Sequence, residues 1–244
     1  RMGANFEKSF QSIRHRLTKN AVAMQLPIGL EAHFAGVIDL ITNKAFEFQG
    51  EKGEKVVETE IPENMKEEVA KRRAELVEKI AESDEALTEK YLNGEHIAEE
   101  GLKASLRKSV LRVELVPVLC GSALKNKGVQ QMLDAVVDYL PSPLDVPPAQ
   151  GIDPKTDQEI IRKPQDDEPF AALAFKVAAD PFVGTLTYFR VYSGTLNRGS
   201  YILNATKNNQ ERAGRILRMH ANHREEVESI YAGEIGALVG LKDT

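Results

Sequence analysis

The chain has 244 residues, 42% hydrophobic, with 37 acidic and 32 basic side chains and a formal net charge of −5. That length suffices for two modest domains, and no apolar run approaches the roughly 20 residues a membrane helix requires. A single cysteine, Cys120, excludes an intrachain disulfide framework and fits a reducing cytoplasm, and no signal peptide is visible.

Phe6, Phe10, Ile13 and Leu17 share one helical stripe, which predicts a helix within residues 4–18. Val22, Met24 and Leu26 then alternate as a strand. Gly36–Leu40 and Lys44–Phe48 predict a hairpin turning at Thr42-Asn43. Residues 51–109 hold 16 acids against 11 bases, so the whole charge excess of the chain sits in this segment. Helices are predicted near 63–82, 84–92 and 97–111. Ser83 is the expected N-cap of the second and Asn93-Gly94 the break after it. Glu67–Lys71, Glu68–Arg72 and Glu75–Lys79 are spaced i,i+4 in the favourable order, and Leu102, Leu106 and Val110 supply an inward face. A solvated helical face and an acidic docking surface both fit this segment.

Residues 116–140 are the most informative stretch. A short apolar run, Val116–Cys120, is broken by Gly121, and from Val129 the residues Val129, Met132, Leu133, Val136, Val137 and Leu140 form a one-sided helical stripe. A strand–loop–helix unit puts its loop on the usual ligand edge of an α/β sheet, and Gly121-Ser122-Ala123 offers small residues for close backbone approach to a flat ligand. An ordinary strand–helix turn fits the same spacing. Residues 141–169 hold seven of the eleven prolines, which predicts an extended connector.

From Phe170 the apolar period becomes two: Leu173, Phe175 and Val177, then Thr187, Phe189 and Val191, then Tyr201 and Leu203, then Ile216 opposite Leu217. Gly184, Gly194, Gly199, Gly233 and Gly236 punctuate these runs, so a small all-β barrel is expected. Within 198–224, Arg198, Lys207, Arg212, Arg215, Arg218 and Arg224 face one acid, Glu211. Such a basic stripe suits a nucleic-acid backbone, with few aromatics for base stacking; a basic solvated face is the alternative. The five histidines, His15, His33, His96, His220 and His223, form no zinc-binding spacing, so no metal site and no catalytic residue is assigned. Cys120 is expected to be a small residue buried at a strand end, not a nucleophile.

The segment Cys120-Gly-Ser-Ala-Leu-Lys-Asn-Lys-Gly-Val-Gln130 and the later Asp138-Tyr-Leu-Pro-Ser-Pro-Leu-Asp-Val-Pro147 resemble bacterial elongation factor G, a translational GTPase. Arg1-Met-Gly-Ala-Asn-Phe6 resembles the residues that follow that family's Asn-Lys-x-Asp guanine motif. Asp180–Gly184, Phe189–Gly194, Met219–Asn222 and Gly240–Thr244 resemble its second domain. Peptide release factor three and ribosome-protection proteins share parts of the pattern.

The resemblance implies an α/β architecture, a partial P-loop GTPase domain with an α+β insertion, followed by an all-β translation-factor barrel. Residues 1–140 would be the C-terminal part of the GTPase domain with an insertion at about 28–112, residues 141–169 a linker, and residues 170–244 the barrel. It implies a guanine loop at Ser122, Ala123 and Leu124, with the Ala123 N–H donating to guanine O6 and the Ser122 hydroxyl bracing the Asp of Asn-Lys-x-Asp. Leu124 stands where many GTPases have lysine, with Lys125 the nearest substitute. Arg212, Arg215 and Arg218 become RNA-contact candidates and the insertion a contact for the ribosomal stalk protein.

No Gly-x-x-x-x-Gly-Lys-Ser/Thr, Asp-x-x-Gly or Asn-Lys-x-Asp run occurs in the chain. The expectation is therefore a middle fragment, inactive alone, of a cytoplasmic and monomeric ribosomal translocase that binds GTP or GDP with magnesium when intact. A ribosome-protection or release-factor-type GTPase, or a non-catalytic ribosome-binding module, is the alternative.

Overall fold

The computed structural model describes residues 2–153, 156–221 and 223–244. Arg1 and Asn222, each in one of the motifs above, lie outside them. The chain forms two compact units, residues 1–140 and 141–244.

In the first unit, α1 (Phe6–Arg16) is capped by Asn5, whose side chain accepts the Lys8 N–H. Only Phe10 of the predicted stripe is fully buried; Leu17 falls past the helix end and is exposed. The strand expected through 22–26 divides in two. β1 (Ala21–Ala23) pairs in parallel with a later strand, while β2 (Gln25–Ile28) begins an antiparallel meander with β3 (Gly36–Asp39), β4 (Lys44–Gln49) and β5 (Lys55–Thr59). Met24 is the corner: its N–H donates to Val118 O and its carbonyl accepts from Leu40 N–H, both at 2.9 Å. The β3–β4 turn falls where predicted, with Asn43 at φ 57° and the Asp39 carboxylate accepting the Ile41 and Thr42 N–H groups at 2.8 Å. β5 is hidden in the charged segment because only Val56 and Val57 mark it.

Three helices follow: α2 (Lys66–Ala81), α3 (Glu85–Leu92) and α4 (Glu99–Leu111). The N-cap of α3 is Asp84, which accepts from Ala86 and Leu87 N–H, not Ser83. Ser83 instead donates to Ile80 O and pairs with Ser109 Oγ, and the carboxylate one residue further on takes the first-turn amides of α3. The expected i,i+4 pairs do not form: Arg72 pairs with Glu7 and Glu75, and Lys79 with Glu82. Leu76, Ile80, Leu102 and Leu106 close over Leu26, Ile38 and Leu40 of the meander in one core. β6 (Val116–Val118) then pairs with β1 in the register Ala21–Val116, and α5 (Val129–Tyr139) completes the unit.

The second unit begins in the stretch expected to be an extended connector, and that expectation fails. The proline-rich stretch holds an antiparallel ribbon, β7 (Ala149–Ile152) with β8 (Glu159–Arg162). Its prolines flank the two runs and sit in neither, so the ladder is left intact. β9 (Ala171–Asp180), β10 (Gly184–Ser193), β11 (Leu196–Asn197), β12 (Tyr201–Asn204), β13 (Asn209–Arg212), β14 (Arg215–His220), β15 (His223–Val227), β16 (Ser229–Ile230) and β17 (Ile235–Val239) follow. Five of these form an antiparallel sheet ordered β15-β14-β17-β10-β9, and β11·β16 and β12·β13 are separate pairs.

Arg224 on edge strand β15 forms an ion pair with Asp180 at the end of the opposite edge strand, β9. Four strand spacings of a flat sheet would hold those edges about 19 Å apart, so this sheet coils strongly, as a small barrel does. Thr187, Phe189 and Val191 are buried as predicted, whereas Leu173, Phe175, Val177, Tyr201 and Leu203 alternate on exposed faces. Gly236 is not a turn residue: it sits in β17, where a Cβ would come within 3.1 Å of the Phe189 ring.

Candidate guanine loop and its surroundings

β1 and β6 run in parallel, and the polypeptide after β6 leaves from their shared C-terminal edge. The loop after β6 is a closed clasp. Ser122 N–H donates to Lys127 O at 2.8 Å and Lys127 N–H to Ser122 O at 3.0 Å. A 3-10 turn, Ala123–Lys125, fills the interval, and Asn126 reverses the chain at φ 52°.

Gly121 and Gly128 face each other across the base of the clasp. A Cβ on Gly121 would lie 2.7 Å from Lys127 O, and one on Gly128 2.9 Å from Cys120 O. The approach of the loop to itself already requires a residue without a Cβ at 121.

Within the clasp the predicted residues are presented outward. Ala123 is exposed and Leu124 almost fully so, at 98%. The Ala123 N–H heads the 3-10 turn and has no acceptor among the described residues. The Ser122 hydroxyl is half-buried and makes no hydrogen bond among those residues. An unspent backbone donor beside a small hydroxyl can receive a carbonyl oxygen and reject an amino group. Cys120, just before the clasp, is half-buried, and burial pushes its thiol up to about 12, so it stays neutral and unreactive near neutral pH.

The start of the chain reaches the same neighbourhood. Gly3 N–H donates to Glu31 Oε1 at 2.6 Å, and three residues later in that connector Phe34 O accepts from Lys127 Nζ at 2.8 Å. The clasp and the first residues thus both meet the β2–β3 connector.

The three arginines of the basic stripe have different surroundings. Arg215 Nε lies 3.4 Å from Glu226 Oε2, and Arg218 Nη2 lies 2.9 Å from Glu234 Oε1. Arg198 also pairs with Glu226 and Glu228. These acids lie just beyond the 198–224 window, so the positive excess seen along the sequence is interleaved with negative charge in the fold. Arg212 on β13 donates to Gly199 O and has no ion pair among the described residues. The window's one acid, Glu211, is inward. It accepts from Lys242 and Asp243 N–H, Thr244 Oγ1 and Asn204 Nδ2, a set of bonds that no local sequence pattern announces.

The chain thus joins an α/β unit, with a clasped loop at the C-terminal edge of parallel strands, to a coiled all-β unit. Residues 169–244 match the family model for elongation factor G domain 2. A crystal structure of a protein from Thermus thermophilus aligns over 97% of the chain with a TM-score of 0.74 and 28% identity. The chain spans about a third of that protein, 32% of its length. Among the described residues no helix is long and apolar enough to cross a membrane.

Proposed function

We propose that this chain is a portion of a translational GTPase that moves messenger and transfer RNAs on the ribosome, with the clasp after β6 as its guanine loop. The observation that carries the reading is the unspent Ala123 N–H, in a clasp that shares the β2–β3 connector with the chain's first residues, ahead of a segment that matches elongation factor G domain 2. In this reading the Ala123 N–H donates to guanine O6. Adenine would present an amino group there and leave the donor unpaired, at a cost of about 1–3 kcal/mol.

The same reading accounts for α5. Met132, Leu133, Val136, Val137 and Leu140 are exposed on its apolar stripe, and the β1·β6 pair is parallel, a sheet type ordinarily covered on both faces. Such a face fits beneath further strands of a GTPase sheet. The phosphate-binding loop, magnesium ligands and Asn-Lys-x-Asp would come from polypeptide outside this chain, so the chain alone would hydrolyse no GTP and hold no nucleotide or magnesium.

The insertion would meet the ribosomal stalk protein, since Lys66, Lys79, Lys103 and Lys108 sit in ion pairs and the remaining acidic excess can steer a basic partner. The β unit would lie against small-subunit ribosomal RNA, Arg212 being the candidate with an unpaired charge and Arg215 and Arg218 contributing through their networks. The intact protein would act as a cytoplasmic monomer.

The test is single-round movement of messenger RNA on pre-translocation ribosomes by a longer protein carrying these residues. GTP-dependent movement is expected. Absence of movement with release of tetracycline or of a peptide release factor would assign a ribosome-protection or release-factor role instead.

A further inference from the structure

Resting on the guanine-loop reading, we propose that the insertion braces the guanine loop and sets how long the nucleotide stays bound, with Lys127 as the principal positioning residue. The clasp's own hydrogen bonds are local, running between residues 122 and 127, and fix its shape but not its place over the sheet. Its place is set by three contacts from the β2–β5 meander, those at Phe34 and Gly53 within the insertion and that at Gln25 just before it.

Gln25, fully buried at the start of β2, accepts the Cys120 N–H through Oε1 at 3.3 Å and so holds the strand exit. The Lys127 ammonium donates to Phe34 O at 2.8 Å and ties the far limb of the clasp to the β2–β3 connector. The β4–β5 turn packs under the tip: at Gly53, φ 60°, a Cβ would come 2.7 Å from Lys125 O and 3.2 Å from Asn126 O. Lys127 therefore spends its charge on a backbone carbonyl of the insertion, where a charged donor forms one of the stronger hydrogen bonds.

The Ala123 N–H is useful to a purine only if its position is held to within a fraction of an ångström. A connector anchored at Phe34 and a turn wedged at Gly53 supply that constraint from outside the loop. The consequence is regulatory: a partner that shifts residues 29–35 or 50–54 on docking would change nucleotide affinity without touching the nucleotide.

The experiment measures release of a fluorescent GDP analogue from the full-length protein. Lys127→Met is expected to speed release about tenfold, the worth of one hydrogen bond from a charged donor, with Lys127→Arg recovering most of the loss. Gly53→Ala, which must push on the loop backbone, is expected to act in the same direction. Lys71→Met, at an exposed α2 lysine with no contact to the loop, is expected to leave release unchanged. At saturating GTP, ribosome-stimulated kcat should be unchanged while KM rises, since a brace acts on binding.

Wild-type release rates in both Lys127→Met and Gly53→Ala would overturn the brace. Ala123→Pro, which deletes the proposed guanine donor itself, separates the two readings. If it speeds release while those variants do not, the loop reading stands and the brace falls; if it too changes nothing, both fall.

Discussion

Helices α4 and α5 are close in length, and each carries apolar residues at helical spacing, yet their faces end in opposite environments. On α4, Leu102 and Leu106 are fully buried. On α5, Leu133 is 55% and Val137 77% exposed, although the stripe is as regular in the sequence. The insertion to which α4 belongs carries its own meander and three helices around one core. The α/β part to which α5 belongs has a two-stranded parallel sheet, β1·β6, and little else to cover the helix. Periodicity reports that a helix has a face to bury; it does not report whether the burying partner lies in the same stretch of chain.

That contrast breaks most visibly at the core. Leu106→Ala is expected to lower the unfolding free energy by about 2–5 kcal/mol, measured by urea denaturation of this chain. Next in size is a chemical contrast within the loop region. Cys120, with its thiol pushed up to about 12 by burial, should react with iodoacetamide at pH 8 at least about tenfold more slowly than free cysteine. Labelling at the free-thiol rate would mean that the strand exit is open.

A smaller, pH-dependent effect belongs to the β unit. Partial burial works to raise the Glu211 carboxyl, but the donors from Thr244, Asp243, Asn204 and Lys242 outweigh it and hold it down at about 2. A depressed carboxyl stabilises the fold fully above its unfolded value, 4.5, and loses that contribution as pH falls toward about 2. Amide exchange at Lys242 and Asp243 should accelerate, relative to the intrinsic rate, across that window. Glu211→Gln should remove the pH dependence. The smallest effect is the foil to Leu106: Val137→Ser should change stability by no more than about 0.5 kcal/mol, and a loss as large as that of Leu106→Ala would mean that the α5 stripe is buried in solution.

Much of this architecture is legible in the chain. The α2–α4 helices, the hairpin at Thr42-Asn43, the strand–loop–helix after Val116 and the alternation of β10 all rest on local periodicity and turn chemistry, which act over a few residues. What stays hidden depends on neighbours distant in sequence. The division of 21–28 between two sheets is decided at Met24 by Val118 and Leu40. The ribbon β7·β8 forms because no proline falls within either strand. The basic stripe reads as more positive in the sequence than it is in the fold, because Glu225, Glu226, Glu228 and Glu234 fold back beside it. The guanine-loop candidates stand out by resemblance, but the clasp between Ser122 and Lys127 and its anchors at Gln25 and Phe34 span up to 95 positions and leave no pattern in the sequence.

The central claim rests on one backbone donor, and Ala123→Pro removes it with little other disturbance. Ala123 is the first residue of a 3-10 turn, where proline is tolerated, and Ser122 before it is already extended, at φ −131° and ψ 94°. The measurement is the GDP and ADP affinity of a longer protein that includes the phosphate-binding half, with and without this substitution. A fall in GDP affinity of about 10- to 100-fold, with ADP binding unaltered and the melting temperature preserved, is the predicted result. Undiminished preference for GDP in Ala123→Pro would contradict the assignment of this loop to guanine.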